Sequence, residues 1–287
     1  MPATSIRDYL RSTVATLQKA VGSEAEATAR IIFEDVAGYD RRFIFAEGDR
    51  GLSDFRRLQI DAAVARVLAG EPVQYAVGRA RFMGMDFIVN RSVLIPRPET
   101  EGLVDMIVDR LGRRSDLRGL DAGTGSGCIA VALSRALPFC NMTAIDFSDE
   151  ALLVAKTNAE TLKCKIDFRK ADILDMPHEA MPVYDFIVSN PPYIRRSEAA
   201  DMEKRVLDWE PGSALFVPDD DPLLFYRALA RYGLSTLTPG GSIFFEINKN
   251  FPDETVAMLI ETGYADATAS RDYLGAWRFV SAVLPKE

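Results

Sequence analysis

The sequence predicts an α/β chain: a doubly wound sheet, mainly parallel, preceded by a small helical bundle. Three observations carry that prediction. From Gly119 onward, short apolar strands alternate with amphipathic helices, the pattern of crossover units that build a parallel sheet. The first of these strands runs straight into a glycine-rich turn, "LDAGTGSGCIA" at 120–130. Before residue 79, in contrast, apolar residues recur only at helical spacing.

Taken in order, residues 5–20 carry Ile6, Leu10, Val14 and Leu17 on one helical face, and Gly22 stops that helix. Ser23 and Glu26 have the spacing of a capping box for a second helix, whose apolar residues are Ala29, Ile31, Ile32, Phe33 and Val36. Ser53 caps a third, which runs through Leu58, Ile60, Ala63, Val64, Val67 and Leu68 to Gly70. Residues 81–89 read as a hairpin around Gly84. A helix over 101–111 precedes a strand at 119–121, a helix at 128–137, a strand at 142–145, a helix at 150–161 and strands at 166–168 and 184–189. The remainder is a helix at 223–237, a strand at 242–247, a helix at 254–262 and strands at 265–270 and 277–283. The last two strands follow one another without a helix, which predicts a hairpin inserted at the sheet edge. The expected division is a helical domain over 1–78, a hairpin linker over 79–95 and an α/β domain over 96–287.

Bulk composition narrows the function classes. The 287 residues are 48% hydrophobic and 26% charged, ordinary for a chain with a substantial core. Residues 1–92 carry 13 basic and 12 acidic side chains, whereas the rest carry 21 and 30, so the net charge of −8 sits in the last two-thirds. That balance disfavours tight, nonspecific binding to nucleic acid, which needs a basic surface. Cys128, Cys140 and Cys164 have neither disulfide-framework nor zinc-site spacing, so no metal site is expected. The single histidine, His178, reads as an exposed loop residue. No membrane-length apolar run or signal-peptide core is present, which makes the cytoplasm, away from membranes, the expectation. A monomer is expected as well.

Gly123, Gly125 and Gly127 sit between a strand and a helix, where a ligand can touch bare backbone. Their spacing is GxGxG rather than the GxGxxG of dinucleotide folds. Asp146 closes the next strand, placed to accept hydrogen bonds from ribose hydroxyls. A nucleoside without a diphosphate fits this pattern. S-adenosylmethionine is such a ligand, and Asp121, just before the loop, suits its ammonium group. The candidate cofactor residues are Gly123, Thr124, Gly125, Ser126, Gly127, Asp146, Ile173 and Asn190, with Asp172 set to meet the adenine amino group and Ile173 to pack on its ring. A structural role for the glycines alone, as a tight strand-to-helix turn, is the competing reading.

"VSNPPYI" at 188–194 ends an apolar strand with two prolines, which remove two donors and fix two φ angles. An amide nitrogen is a poor nucleophile because its lone pair is delocalised. Holding its N–H groups on two acceptors frees that lone pair to face an electrophilic methyl group. The Asn190 side-chain oxygen and the Pro191 carbonyl are the candidate acceptors, and Tyr193 offers a face for a planar substrate. Asn190, Pro191 and Tyr193 are therefore the candidate catalytic residues, and Asn190, Pro191, Pro192 and Tyr193 the candidate substrate site. Catalysis of this kind works by orientation and by hydrogen bonds that strengthen as charge develops.

Together, "EPVQYAVG" (71–78), "PRPETE" (96–101), "LDAGTGSGCIA", "VSNPPYI" and "EPGSALF" (210–216) resemble the release factor glutamine methyltransferases, the HemK/PrmC family. The resemblance spans nearly the whole chain. It implies a helical N-terminal domain, a seven-strand methyltransferase domain, S-adenosylmethionine as donor, and as substrate the glutamine of the Gly-Gly-Gln loop in class I peptide chain release factors. It also implies that Arg97, Glu99 and Thr100 lie near the cofactor as a lid, although a capped helix start explains the same residues. One departure stands out: where the family reads Glu-Ile-Gly with a later Gln, this chain reads Glu246-Ile247-Asn248-Lys249-Asn250-Phe251. A DNA amino-adenine methyltransferase shares the Asn-Pro-Pro-Tyr corner, but needs a basic groove and a base-flipping pocket. A noncatalytic binding protein would have no use for an intact corner.

Overall fold

The computed structural model describes residues 4–176 and 183–286; His178 lies outside them. Ser5 accepts the Asp8 N–H and opens α1 (Ile6–Val21). The chain then enters α2 (Ala25–Ala37) through a 3₁₀ turn over Gly22–Glu24. That turn corrects the expected capping box. Glu24, not Ser23, precedes the helix, in near-helical geometry at φ −81° and ψ −4°, and no side chain caps it. Asp40 accepts the Phe43 N–H to start α3 (Arg41–Glu47), and Ser53 accepts that of Arg56 to start α4 (Asp54–Leu68). The short α5 (Val73–Val77) ends at Gly78. Ile6, Leu17, Ala29, Ile32, Phe33 and Ile60 pack a core of their own. Residues 1–79 form one compact unit together with Glu203–Trp209, whose Arg205 guanidinium pairs with Glu24 at 2.7 Å.

The second unit comprises Ala80–Met202 and Glu210–Glu287. A hairpin of β1 (Arg79–Phe82) and β2 (Met85–Ile88) leads to α6 (Pro98–Leu111). Then follow β3 (Arg118–Ala122), α7 (Cys128–Ala136), β4 (Asn141–Asp146), α8 (Asp149–Thr161), β5 (Ile166–Lys170) and β6 (Tyr184–Ser189). Next come β7 (Ile194–Arg195), then α9 (Lys204–Trp209), which belongs to the first unit, and β8 (Phe216–Val217), which pairs with β7 in parallel. The chain ends with α10 (Leu224–Thr236), β9 (Leu237–Glu246), α11 (Pro252–Thr262), β10 (Ala265–Arg271) and β11 (Trp277–Val283).

Seven strands form one sheet in the order β10, β11, β9, β6, β3, β4, β5. Helices cover both faces, which is why the central strands read as nearly continuous apolar runs. On β6, Phe186 and Val188 join one core and Ile187 the other. The last two strands are antiparallel, with β11 wedged between β9 and β10, as the missing helix between them predicts. Chain order reverses between β3 and β6, where Asp121 is in register with Val188. The loop after β3 and the corner after β6 therefore emerge side by side at the carboxyl ends of the strands, where ligands bind in open α/β sheets. Ser189 ties the two together by donating its hydroxyl to the Ala122 carbonyl at 2.6 Å.

Candidate active site

The three loop glycines adopt φ values of 73°, 53° and 81° at 123, 125 and 127. These are left-handed conformations that a side chain would strain. Asp121 lies wholly buried beneath the loop, where one oxygen accepts the Thr124 hydroxyl at 2.6 Å and the Ala130 N–H at 3.2 Å. Its other oxygen has no partner among the described residues. Burial pushes its carboxyl up to about 7. It is absent from the cavity wall, so its visible work is to brace the loop from below. Asn158 of α8, which the sequence did not single out, holds the Ser126 carbonyl at 2.9 Å.

Asp146 ends β4 facing this loop. One of its oxygens accepts the Gly125 N–H at 2.9 Å and the other the Ser148 N–H at 3.0 Å. A carboxylate offers about four acceptor positions, so each oxygen retains capacity for a hydroxyl. Burial raises its pKa, against the pull of those backbone N–H groups.

The Asn-Pro-Pro-Tyr corner is held from behind. Asn190 donates its Nδ2 to the Thr100 hydroxyl at 3.2 Å, and Thr100 donates to Glu246 Oε2 at 2.6 Å. Tyr193 donates its hydroxyl to Glu246 Oε1 at 3.0 Å. Glu246 is only 1% exposed, and burial raises its pKa. Sequence reasoning noted Glu246 but gave it no role. Arg97, two residues after Ile95, pairs with buried Glu210 at 2.6 Å, and Glu210 also accepts the Ile95 N–H at 3.2 Å. "PRPETE" and "EPGSALF" are thus fastened to each other.

A cavity of about 640 Å³ opens at these ends of the strands. Gly123, Thr124, Gly125, Ser126, Asp146, Ile173, Asn190 and Pro192 line it; Gly127, Pro191 and Tyr193 adjoin these lining residues in the chain without being among them. Arg97 and Thr100 line it too, whereas Glu99 faces a separate groove along α6. Asp172 is on the wall, with one oxygen taken by the Leu174 N–H at 2.9 Å. Phe147, half exposed on the wall beside Asp146, was missed; an aromatic directly after the acidic residue was the available signal. Cys128 also reaches the wall, but burial pushes its thiol up to about 12, so it stays protonated. The volume lies in the ~300–1,000 Å³ range of small-molecule sites. An acceptor-rich carboxylate flanked by the apolar Phe147 and Ile173 suits a ribose joined to adenine, and bare glycine backbone suits its tail. The lining therefore fits S-adenosylmethionine.

Two protein families match the chain: the Methyltransferase small domain over residues 101–208, and the PrmC N-terminal domain over residues 8–78. A release factor glutamine methyltransferase of Bacteroides thetaiotaomicron is 42% identical over 90% of this chain and 92% of its own length. One from Flavobacterium psychrophilum is 38% identical over 90% of this chain and 91% of its own. Among solved structures, a methyltransferase from Pyrococcus furiosus superposes with a TM-score of 0.52 at 17% identity, covering 77% of this chain and 97% of that one, which supports the fold.

Proposed function

The chain belongs to the release factor glutamine methyltransferase family, and from that premise we propose that it methylates the side-chain amide of the Gly-Gly-Gln glutamine in class I peptide chain release factors, acting as a cytoplasmic monomer. One observation carries the reading: the Asn190 amide is tethered through its nitrogen, which leaves its oxygen for a substrate N–H in the cavity.

S-adenosylmethionine supplies the electrophilic methyl group. Asp146 would accept the ribose hydroxyls, Phe147 and Ile173 would pack the adenine, and the backbone of Gly123–Gly127 would receive the tail. Asn190 Oδ1 and the Pro191 carbonyl hold the two N–H groups of the glutamine amide. Pro191 makes no hydrogen bond among the described residues, and prolines bring no N–H to compete for those acceptors. The amide is thereby turned so that its nitrogen lone pair faces the methyl. No strong general base is needed, because the nitrogen becomes acidic once methylated.

The test is mass spectrometry of an intact release factor incubated with the chain and methyl donor. A single added methyl on the Gly-Gly-Gln peptide is expected, and its loss in Asn190→Ala with donor still bound. Methyl transfer to adenine in DNA, or no transfer to any release factor, would refute the proposal.

A further inference from the structure

The chain of hydrogen bonds behind Asn190 has a direction. Thr100 owns one hydroxyl proton, and Glu246 Oε2 takes it at 2.6 Å. The remaining contact of that hydroxyl, with Asn190 at 3.2 Å, must then be one in which Thr100 accepts. Only the nitrogen end of an amide can donate, so Nδ2 turns to Thr100 and Oδ1 away from it, on a side chain that lines the cavity. The second oxygen of Glu246 is occupied by another hydroxyl donor, Tyr193. An ionised carboxylate, which accepts and never donates, is the side chain that satisfies both.

We infer that Glu246 is a positioning residue that sets the polarity of this relay and so keeps the acceptor end of Asn190 turned toward the substrate amide. The inference rests on the proposed role of Asn190 as acceptor for the glutamine N–H. A neutral group at 246 can donate to Thr100 instead. The Thr100 hydroxyl then donates to the Asn190 oxygen, the amide turns over, and its NH₂ faces the substrate N–H, donor against donor.

Titratable neighbours reach Glu246 from four elements, among them Tyr226 on α10, a neutral phenol that donates to the Glu246 backbone carbonyl at 3.2 Å. Arg278 on β11 favours its charge, Glu99 on α6 opposes it, and Tyr193 donates to it from the corner. Asp272 shares Arg278 through a 3.0 Å ion pair. Burial dominates and raises the Glu246 pKa above its ordinary value of 4.5. The anion is the form that orients Asn190, so turnover rises with pH through that titration.

The experiment uses the full chain with an intact release factor under single-turnover conditions and saturating donor. Glu246→Gln is expected to slow methylation by roughly 10²-fold, the scale of losing one oriented hydrogen bond to a reacting group. Donor affinity by calorimetry and melting temperature should stay at wild-type values. The acidic limb of the wild-type pH profile should vanish in this variant. Should Glu246→Gln fail to fold, Thr100→Val breaks the same relay, and Thr100→Ser, which keeps the hydroxyl, should recover the rate that Thr100→Val loses. A wild-type rate in Glu246→Gln, a retained acidic limb, or equal losses in Thr100→Val and Thr100→Ser would overturn the inference. Absence of release factor methylation by the unmodified chain would instead overturn the proposed function, so the two failures are distinct.

Discussion

Asn248 donates its side-chain amide to the backbone carbonyl of Tyr193 at 3.0 Å. The same nitrogen meets Glu198 Oε2 at 3.0 Å, and Asn250 meets the other Glu198 oxygen at 2.8 Å. The Arg195 guanidinium lies 5.1 Å from the centre of the Phe251 ring. The departure from the family's Gly and Gln thus builds a strap across the exit of the Asn-Pro-Pro-Tyr corner, rather than a contact with the cofactor. Asn248 is buried, so losing its amide leaves the Tyr193 carbonyl unmet. Asn248→Gly should cost about 1–3 kcal/mol in chemical denaturation, with a smaller loss of turnover than Asn190→Ala. Unchanged stability would show that the strap is ornamental.

Asp146→Ala should weaken S-adenosylmethionine binding by about 1.5–3 kcal/mol, as charge-assisted bonds to the ribose disappear. The loss has a second source, because Asp146 also holds the Gly125 N–H and with it the middle of the glycine loop. Calorimetry on the folded variant measures the sum. Unchanged affinity would remove Asp146 from the site.

How much of this could be read from the chain depends on how local each signal was. The sheet was legible because burial on both faces writes continuous apolar runs, as at Phe186-Ile187-Val188. The glycine turn, Asp146 and the double proline were legible because each is a short motif at the end of a strand. The Glu246–Thr100–Asn190 relay was not, since its members lie 146 and 90 residues apart and meet only through the fold. Asn158 was hidden for the same reason, since its contact with the Ser126 carbonyl spans 32 residues. Ser23 misled in the opposite way. Its spacing to Glu26 suits a cap, but a cap needs extended backbone, and the 3₁₀ turn from Gly22 carries the chain into α2 without it.

Asp121 should leave a signature in stability against pH. Its folded value is about 7 against an ordinary 3.8, with burial as the main cause. The folded chain therefore holds this proton more tightly than the unfolded chain. The contribution is full below about pH 4, declines as pH rises to about 7, and is constant above, at up to about 1.4 kcal/mol per pH unit. Asp121→Asn cannot ionise. The stability of the wild-type chain relative to this variant should fall across that window in urea titrations. A difference independent of pH would mean that Asp121 stays ionised beneath the loop.

The release factor needs a grip beyond its loop. A glutamine on a Gly-Gly-Gln loop reaches the corner without side chains colliding on the way, but a short peptide must surrender its own freedom to bind there. A second contact away from the loop would supply the energy that positions the glutamine. We propose the helical unit for that contact. Phe55 and Leu58, one turn apart on α4, are 67% and 65% exposed, while Ile60, Ala63 and Val64 on the same helix are buried in the unit's core. Deleting residues 1–78 would be a poor test, because Glu203–Trp209 folds with that unit and would lose its partners. Phe55→Ser with Leu58→Ser removes the apolar surface and leaves the core intact. The double variant should raise KM for the whole release factor while leaving kcat/KM on a short Gly-Gly-Gln peptide unchanged. Equal losses on both substrates would assign the helical unit a scaffold role and move recognition elsewhere.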